Sequence, residues 1–388
     1  MKILIINTDY PAFLDSMYSS HPGLAEAAYE EQMRVRNESL FGVADFYSSN
    51  LCALGHEAWD VHANNTAMQN AWAGEHGIAV EEPGLLERAR PIAAASPLKH
   101  LKPVLRPLVR AVFGTPQPSF NVLAAQIRHY KPDVVLNQAM DEIPNAFFHE
   151  LRGEIPLMAG QVASPLIQQK TFPSYDLVVS SLPHFVNYFQ TQGIASELNR
   201  FAFEPAILER LQAENKSYDA TFVGSLSPHH RARVDLIETI ARLIDVDIWG
   251  QGAEAFPADS PIRRRHHGPA WGVEMFQILH DSRITLNHHI GIAEDYANNM
   301  RLFEATGAGA MLITDHKSNL REMFEPEKEV VTYRSPAECL EAIRHYMDHE
   351  DERKAVALAG QRRTMREHNY RIRMQELAEI LTRHLNRA

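Results

Sequence analysis

The sequence predicts an α/β protein made of two doubly wound domains, each a parallel sheet covered by helices. Three observations carry this expectation. Short apolar runs alternate with amphipathic stretches of helical period in both halves of the chain. The alternation breaks once, over residues 203–218, where "EPAILERLQAENKSYD" is polar and opens on a proline turn. The chain has 388 residues, more than one hydrophobic core usually serves. The expected divisions are residues 1–203, residues 204–365 and a terminal segment, 366–388.

"KILIIN" opens at residue 2 as a short apolar run, the pattern of a parallel strand buried on both faces. "SLFGVADFYSSNLCALGHEAWDVHAN" then reads as helix, Gly-His turn and strand, a β-α-β unit. "SFNVLAAQIRHYKPDVVLNQ" repeats it: amphipathic helix, Lys-Pro stop, strand "DVVLNQ". "IPLMAGQVA" and "YDLVVSSLP" read as further strands, and "HFVNYFQTQGI" as a helix ending at Gly193. Beyond the break, "DATFVGS", "VDIWG", "ITLNHH" and "EVVTY" are strands, while "HRARVDLIETIARLI" and "GVEMFQILHDS" are helices. "NMRLFEATGAGAMLITD" runs from a helix through two glycines into a strand. A helix follows from Pro336 to Met347, and Glu352 to Ala388 keeps a long helical period with few breakers.

Composition excludes several classes. Apolar residues make up 45% and charged residues 22%, an ordinary soluble globular balance. No apolar run approaches the roughly 20 residues that span a bilayer. "MKILIINTDYPAF" lacks the features of a signal peptide, and two cysteines, Cys52 and Cys339, make no disulfide framework, so a cytoplasmic protein is expected. A net charge of -11 argues against a nucleic-acid partner. Within that acidic chain, residues 88–132 hold no Asp or Glu and eight Lys or Arg. "LKHLKPVLRPLVRAVF" in this stretch suits either an internal acidic surface or the inner face of an anionic membrane, with a peripheral contact through 88–132. Its prolines interrupt a continuous amphipathic helix.

Familiar motifs are absent. The first strand is followed by "NTDYPAF", without the G-x-G-x-x-G that lets a backbone approach a pyrophosphate. There is no P-loop, no nucleophile elbow and no H-E-x-x-H. The pairs His229-His230, His266-His267 and His288-His289 lack metal-ligand spacing, so no metal and no resident cofactor is expected. The second half is more informative. "FVGSLSPHHRARVD" puts Gly224 and Ser225 at a strand's carboxyl end, with a helix starting near Pro228 and Arg231 and Arg233 in its first turns. Ligands of open α/β sheets bind at such ends, where helix N-termini and arginines favour anions. Asn298 and Asn299 stand at a second such place. Arg301 and Glu304 are spaced to pair at i, i+3, which would make a surface ion pair before a glycine C-cap or part of a nucleotide site.

At these residues the sequence resembles a known family. "YDATFVGSLSPHHRARVDLIETIA", "LNHHI…NNMRLFEATGAGAMLITD" and "REHNYRIRMQELAEIL" resemble the CgeB-like branch of the GT-B glycosyltransferases, over about Tyr218 to Leu381. The resemblance implies a GT-B fold: an acceptor-binding domain at 1–203, a nucleotide-sugar-binding domain at 204–365, and a helix at 366–388 crossing back to the first. It implies sugar transfer from a nucleotide-sugar, a co-substrate, to a glycan, lipid-linked or protein acceptor without a bound metal, in surface polysaccharide or glycoconjugate synthesis. Glu304 matches a glutamate that binds the nucleotide ribose in retaining relatives. An earlier glutamate of those relatives touches the sugar, with seven residues between the two, and Tyr296 stands at that place here. Glu294 and Asp295 are near it but out of register. Arg231 and Arg301 are the expected diphosphate ligands, with Gly224, Ser225 and Asn299 beside them. Asp9 and Asp141 follow first-half strands and are candidate general bases, and His289 is a candidate facing the donor sugar. An epimerase or a non-catalytic binding protein of the same fold are the competing expectations.

Overall fold

A computed structural model describes residues 1–80, 120–166, 171–213, 215–226 and 231–387. Most of the acid-free stretch, 88–119, lies outside the described residues, as do Pro228 and the His229-His230 pair.

The fold is α/β with two parallel sheets. The first contains β1 (Lys2–Asn7), β2 (Glu57–His62), β3 (Val134–Asn137), β4 (Leu157–Gln161), β5 (Leu177–Ser180) and β6 (Ala195–Leu198), in the order β2-β1-β3-β4-β5-β6. The second contains β7 (Tyr218–Val223), β8 (Asp247–Trp249), β9 (Ser282–Asn287), β10 (Met311–Asp315) and β11 (Val331–Tyr333), in the order β11-β10-β9-β7-β8. From β1 through β6 and throughout the second sheet the pairs are parallel, with Ile5 opposite Leu136 and Leu286 opposite both Phe222 and Ile313. Ile3 to Ile6 are wholly buried, as a strand covered on both faces requires.

The described helices are α1 (Pro11–Ser20), α2 (Tyr29–Glu38), α3 (Phe46–Ala53), α4 (Thr66–Glu75), α5 (Asn121–Tyr130), α6 (Asn145–Glu150), α7 (Pro183–Thr191), α8 (Arg231–Ala241), α9 (Pro261–Arg264), α10 (Gly272–His280), α11 (Arg301–Gly307), α12 (Pro336–Asp348), α13 (Glu350–Glu367) and α14 (Tyr370–Leu385). Two compact units result. One holds both sheets and comprises Met1–Asn7, Arg34–Val61 and Pro132–Ala388. The other comprises Thr8–Met33 and His62–Lys131, and its described core is Tyr29, Met68, Trp72, Ala73 and Val122.

The structure adds elements that lack a clean apolar period, notably the edge strand β6 and helices α1, α2 and α4. It also corrects the tail. The long helical period is two helices, broken at His368 and Asn369. Asn369 is extended and its side chain accepts from Ile372 N at 3.0 Å, which caps a new helix and ends the old one. The same break pairs with the linker: Phe203 N donates to His368 O at 2.9 Å and Tyr370 N donates to Phe203 O at 3.0 Å. From there α14 packs on α3, with Tyr370 5.2 Å from Phe46 and 5.6 Å from Tyr47, ring to ring.

Candidate functional site

The site grows from the carboxyl ends of the second sheet. β7 ends at Val223, and Gly224 N donates to Trp249 O at 2.9 Å, so Gly224 and Ser225 leave the sheet together with the end of β8. α8 returns over this end and sends Arg233 inward. Its Nε and Nη2 donate to His288 O at 3.1 and 2.9 Å, and its Nη1 to Ser225 O at 3.3 Å. The guanidinium thus ties the ends of β7 and β9. Burial, with Arg301 adding to it, pushes Arg233 down to about 10, against Asp315 and Tyr333. Arg231 is exposed.

β9 and β10 contribute a carboxylate–imidazole pair. His289 Nδ1 lies 2.6 Å from Asp315 Oδ1, and His289 N donates to the same oxygen at 3.0 Å. The His289 ring is fully buried, and its Nε2 has no hydrogen-bond partner. Burial pushes the Asp315 carboxyl up, but the hydrogen bond and charge of His289, with His288 and Lys317, outweigh it and hold the acid well below its usual range. Lys317 sits 3.4 Å from Asp315 and donates to Glu294 O at 2.5 Å. His288 Nδ1 is 3.0 Å from the Tyr333 hydroxyl, and burial lowers its pKa.

After β9 the chain loops through residues 288–300 into α11. Asn299 Nδ2 donates to Asn287 Oδ1 at 2.7 Å, and Asn299 Oδ1 accepts from Leu302 N at 3.2 Å, which fixes the start of α11 to the end of β9. One turn on, Arg301 Nη1 and Glu304 Oε2 are 2.9 Å apart. The i, i+3 pairing is as the spacing predicts, but it is no surface pair: the two side chains are 13% and 9% exposed. Arg301 Nη2 also reaches Met275 Sδ at 3.3 Å, and its Nε is buried without a hydrogen-bond partner. Burial raises the Glu304 pKa, with Arg301 opposing. The two glycines behind do different jobs. Gly307 lacks a Cβ that would lie 2.3 Å from the Phe203 ring, and Gly309, at φ +87°, turns the chain into β10.

The structure therefore gathers Gly224, Ser225, His289, Asn299, Arg301 and Glu304 around the carboxyl side of one sheet, in the unit that contains both sheets. Tyr296 stacks on His184 of α7, centroids 5.4 Å apart and 16° from parallel. Asp141 is partly exposed in the same unit, after β3. Asp9 belongs to the other unit, where its buried Oδ2 lies 2.9 Å from His62 Nδ1. Sequence reasoning passed over Asp315 and His62. "MLITD" ends on an acid at a strand's carboxyl end, which marks Asp315; nothing in the sequence marks His62 as its partner's neighbour. Among the described residues no group of three or more His, Cys, Asp or Glu is placed to hold a metal ion, and no helix is long and apolar enough to cross a membrane.

Residues 231–379 match the family model described as glycosyl transferase-like. No curated protein matches the chain in sequence. Among solved structures, a glycosyltransferase from Rickettsia africae ESF-5 is 12% identical with a TM-score of 0.59, covering 100% of this chain and 99% of that one. Anabaena HepE in complex with UDP-glucose is 12% identical with a TM-score of 0.55, over 98% and 99%. AviGT4, a glycosyltransferase involved in avilamycin A biosynthesis, is 15% identical with a TM-score of 0.55, over 100% and 99%. The chain thus has the GT-B fold, and the part of it that matches the glycosyl transferase-like model lies in its second half.

Proposed function

We propose that this protein is a glycosyltransferase that moves a sugar from a nucleotide-sugar to an acceptor, with the donor held at the carboxyl ends of β7, β9 and β10. The observation that carries the reading is Glu304, whose side chain is 9% exposed on a helix that starts beside a strand end in the segment matching the glycosyl transferase-like model. A carboxylate so placed accepts hydrogen bonds from ribose hydroxyls, and burial strengthens them. Gly224, Ser225 and the exposed Arg231 would face the diphosphate, where a fixed cation stabilises the charge developing on the leaving group. His289, locked by Asp315, would stand toward the sugar. In this reading residues 1–203 bind the acceptor, 204–365 bind the donor and 366–388 cross back. Asp9 and Asp141 are its candidates for the general base that an inverting route needs on the acceptor side.

The CgeB-like branch, a hexosyl donor, a metal-independent route and a glycan, lipid-linked or protein acceptor in surface polysaccharide synthesis belong to the same proposal. So do a cytoplasmic site of action and a membrane contact through 88–132. The test is a thermal-shift screen of UDP, GDP, dTDP and ADP, UDP first because Anabaena HepE has been seen with UDP-glucose. One diphosphate raises the melting temperature, Glu304→Ala abolishes the rise, and turnover of the matching donor survives chelation. No shift with any of the four overturns the reading. A non-catalytic binding protein is the second reading, favoured by Tyr296, which stacks on His184 at the place of a sugar-contacting carboxylate. It binds nucleotide but consumes no donor across a broad acceptor panel.

A further inference from the structure

Arg301 has an ambiguous address. The sequence offers it to a diphosphate. The structure commits it elsewhere: one terminal nitrogen lies 2.9 Å from Glu304 and the other 3.3 Å from the sulfur of Met275 on α10. The pair sits on a single turn of α11, and the segment from Leu302 to Gly307 is buried. The start of that turn is fixed by Asn299 to the end of β9. A carboxylate in such a place loses most of its hydration, and without a cation beside it would take up a proton. A protonated carboxyl offers one oxygen as a donor and is a poorer acceptor for two vicinal hydroxyls.

We propose that Arg301 is a positioning residue that keeps Glu304 ionised and aimed at the ribose, and that it does not grip the diphosphate. The inference rests on the donor-site reading above. The charged and titratable groups around Glu304 fit it. Arg301 is the cation on its own helix, and Met275 of α10 is neutral. From α14 comes the Tyr370 hydroxyl, buried with no hydrogen-bond partner and held well above its usual range by burial, with Tyr47, Glu304 and Glu204 adding to it. Arg301 is therefore the counter-charge on which the carboxylate depends. Arg233, which feels Arg301, is occupied by the carbonyls of His288 and Ser225.

The experiment compares a nucleoside with its diphosphate, uridine and UDP first and the other bases after. Titration calorimetry reads wild type, Arg301→Gln and Arg301→Lys at about pH 6 and about pH 9, on either side of the range into which a carboxyl freed of its cation moves. Arg301→Gln is expected to weaken uridine and UDP by the same factor, roughly tenfold at the lower pH, and less at the higher, as one lost charge-assisted contact implies. Arg301→Lys restores most of the affinity. A loss confined to UDP, with uridine unaffected, overturns the proposal, because Arg301 then serves phosphate. A carbon-13 titration of the Glu304 carboxyl supplies a ligand-free readout: its midpoint rises in Arg301→Gln, and an unmoved midpoint overturns the coupling. A wild type that binds no nucleoside or nucleotide overturns the donor-site reading instead, and the carboxyl titration still decides the Arg301–Glu304 coupling.

Discussion

His289 and Asp315, at the ends of adjacent parallel strands, share one carboxylate oxygen twice: the imidazole Nδ1 at 2.6 Å and the backbone N at 3.0 Å both meet Asp315 Oδ1. Asp315→Asn should destabilise the fold by roughly 2 kcal/mol, as losing buried hydrogen bonds to a charged carboxylate does. Because the folded pKa is depressed, this stability is present above the unfolded value of about 4 and is lost as pH falls below it. Urea unfolding of wild type and variant should show a constant gap at neutral pH that closes only in strong acid. A gap that closes near neutrality contradicts the pairing.

Asp60 on β2 has the opposite sign. Burial pushes it up to about 7, against the hydrogen bond from Ser48 and the charge of Arg36. A raised carboxyl penalises folding once it ionises, so wild-type stability falls as pH rises from about 4 to about 7. Asp60→Asn removes that fall. Its advantage over wild type is expected to grow by roughly 2–4 kcal/mol across the window, read by denaturant midpoints at each pH. Parallel pH curves for the two proteins would contradict this.

His368 occupies the break between α13 and α14, with Nε2 2.8 Å from Met323 O and its ring 5.1 Å from Phe303 and 5.2 Å from Phe324. Burial lowers it to about 4, so it is neutral in the fold. A lowered histidine gives stability that is complete above the unfolded value of about 6.5 and is lost as pH falls through that range toward 4. His368→Gln keeps a donor for Met323 O and cannot ionise. It should lose roughly 2–3 kcal/mol less than wild type on acidification, seen by circular dichroism during acid titration.

Gly250 and Gly268 both have positive φ, +139° and +105°, yet differ in the space around them. A Cβ on Gly250 would lie 1.9 Å from the carbonyl oxygen of Gly224, while one on Gly268 would meet nothing within 4 Å. Gly268→Ala should cost about 1 kcal/mol from backbone strain alone. Gly250→Ala should cost roughly 3 kcal/mol or more and also displace Gly224, weakening nucleotide binding. Equal losses for the two would show that contact with Gly224 is unimportant.

Much of the fold was legible because its signals are local. "KILIIN", "DVVLNQ" and "MLITD" are apolar runs that only doubly covered strands need, and each is a strand. β6 was not legible: "ASEL" is an edge strand with little apolar content. The break at His368 was hidden because His and Asn interrupt no periodicity, and it takes the distant Phe203 to hold it. The pairing of Arg301 with Glu304 was legible, because their spacing depends on helix geometry alone. Burial of that pair was not, since it depends on α10 and the packing of α11. The inward turn of Arg233 in place of Arg231 is likewise a matter of which side of α8 faces the sheet. His62 beside Asp9, and His184 beside Tyr296, join residues more than fifty positions apart, which no spacing rule reaches.

The bridge between Phe203 and Asn369 has a mechanical consequence. The chain passes between the two sheets at the linker and again at the start of α14, and these passages run side by side, joined by two backbone hydrogen bonds. Two passages joined in this way cannot shift singly, so the linker and the start of α14 are expected to move as one joint. The buried ring of Phe203, seated against Gly307, brings that joint to the back of α11, the helix that carries Arg301 and Glu304.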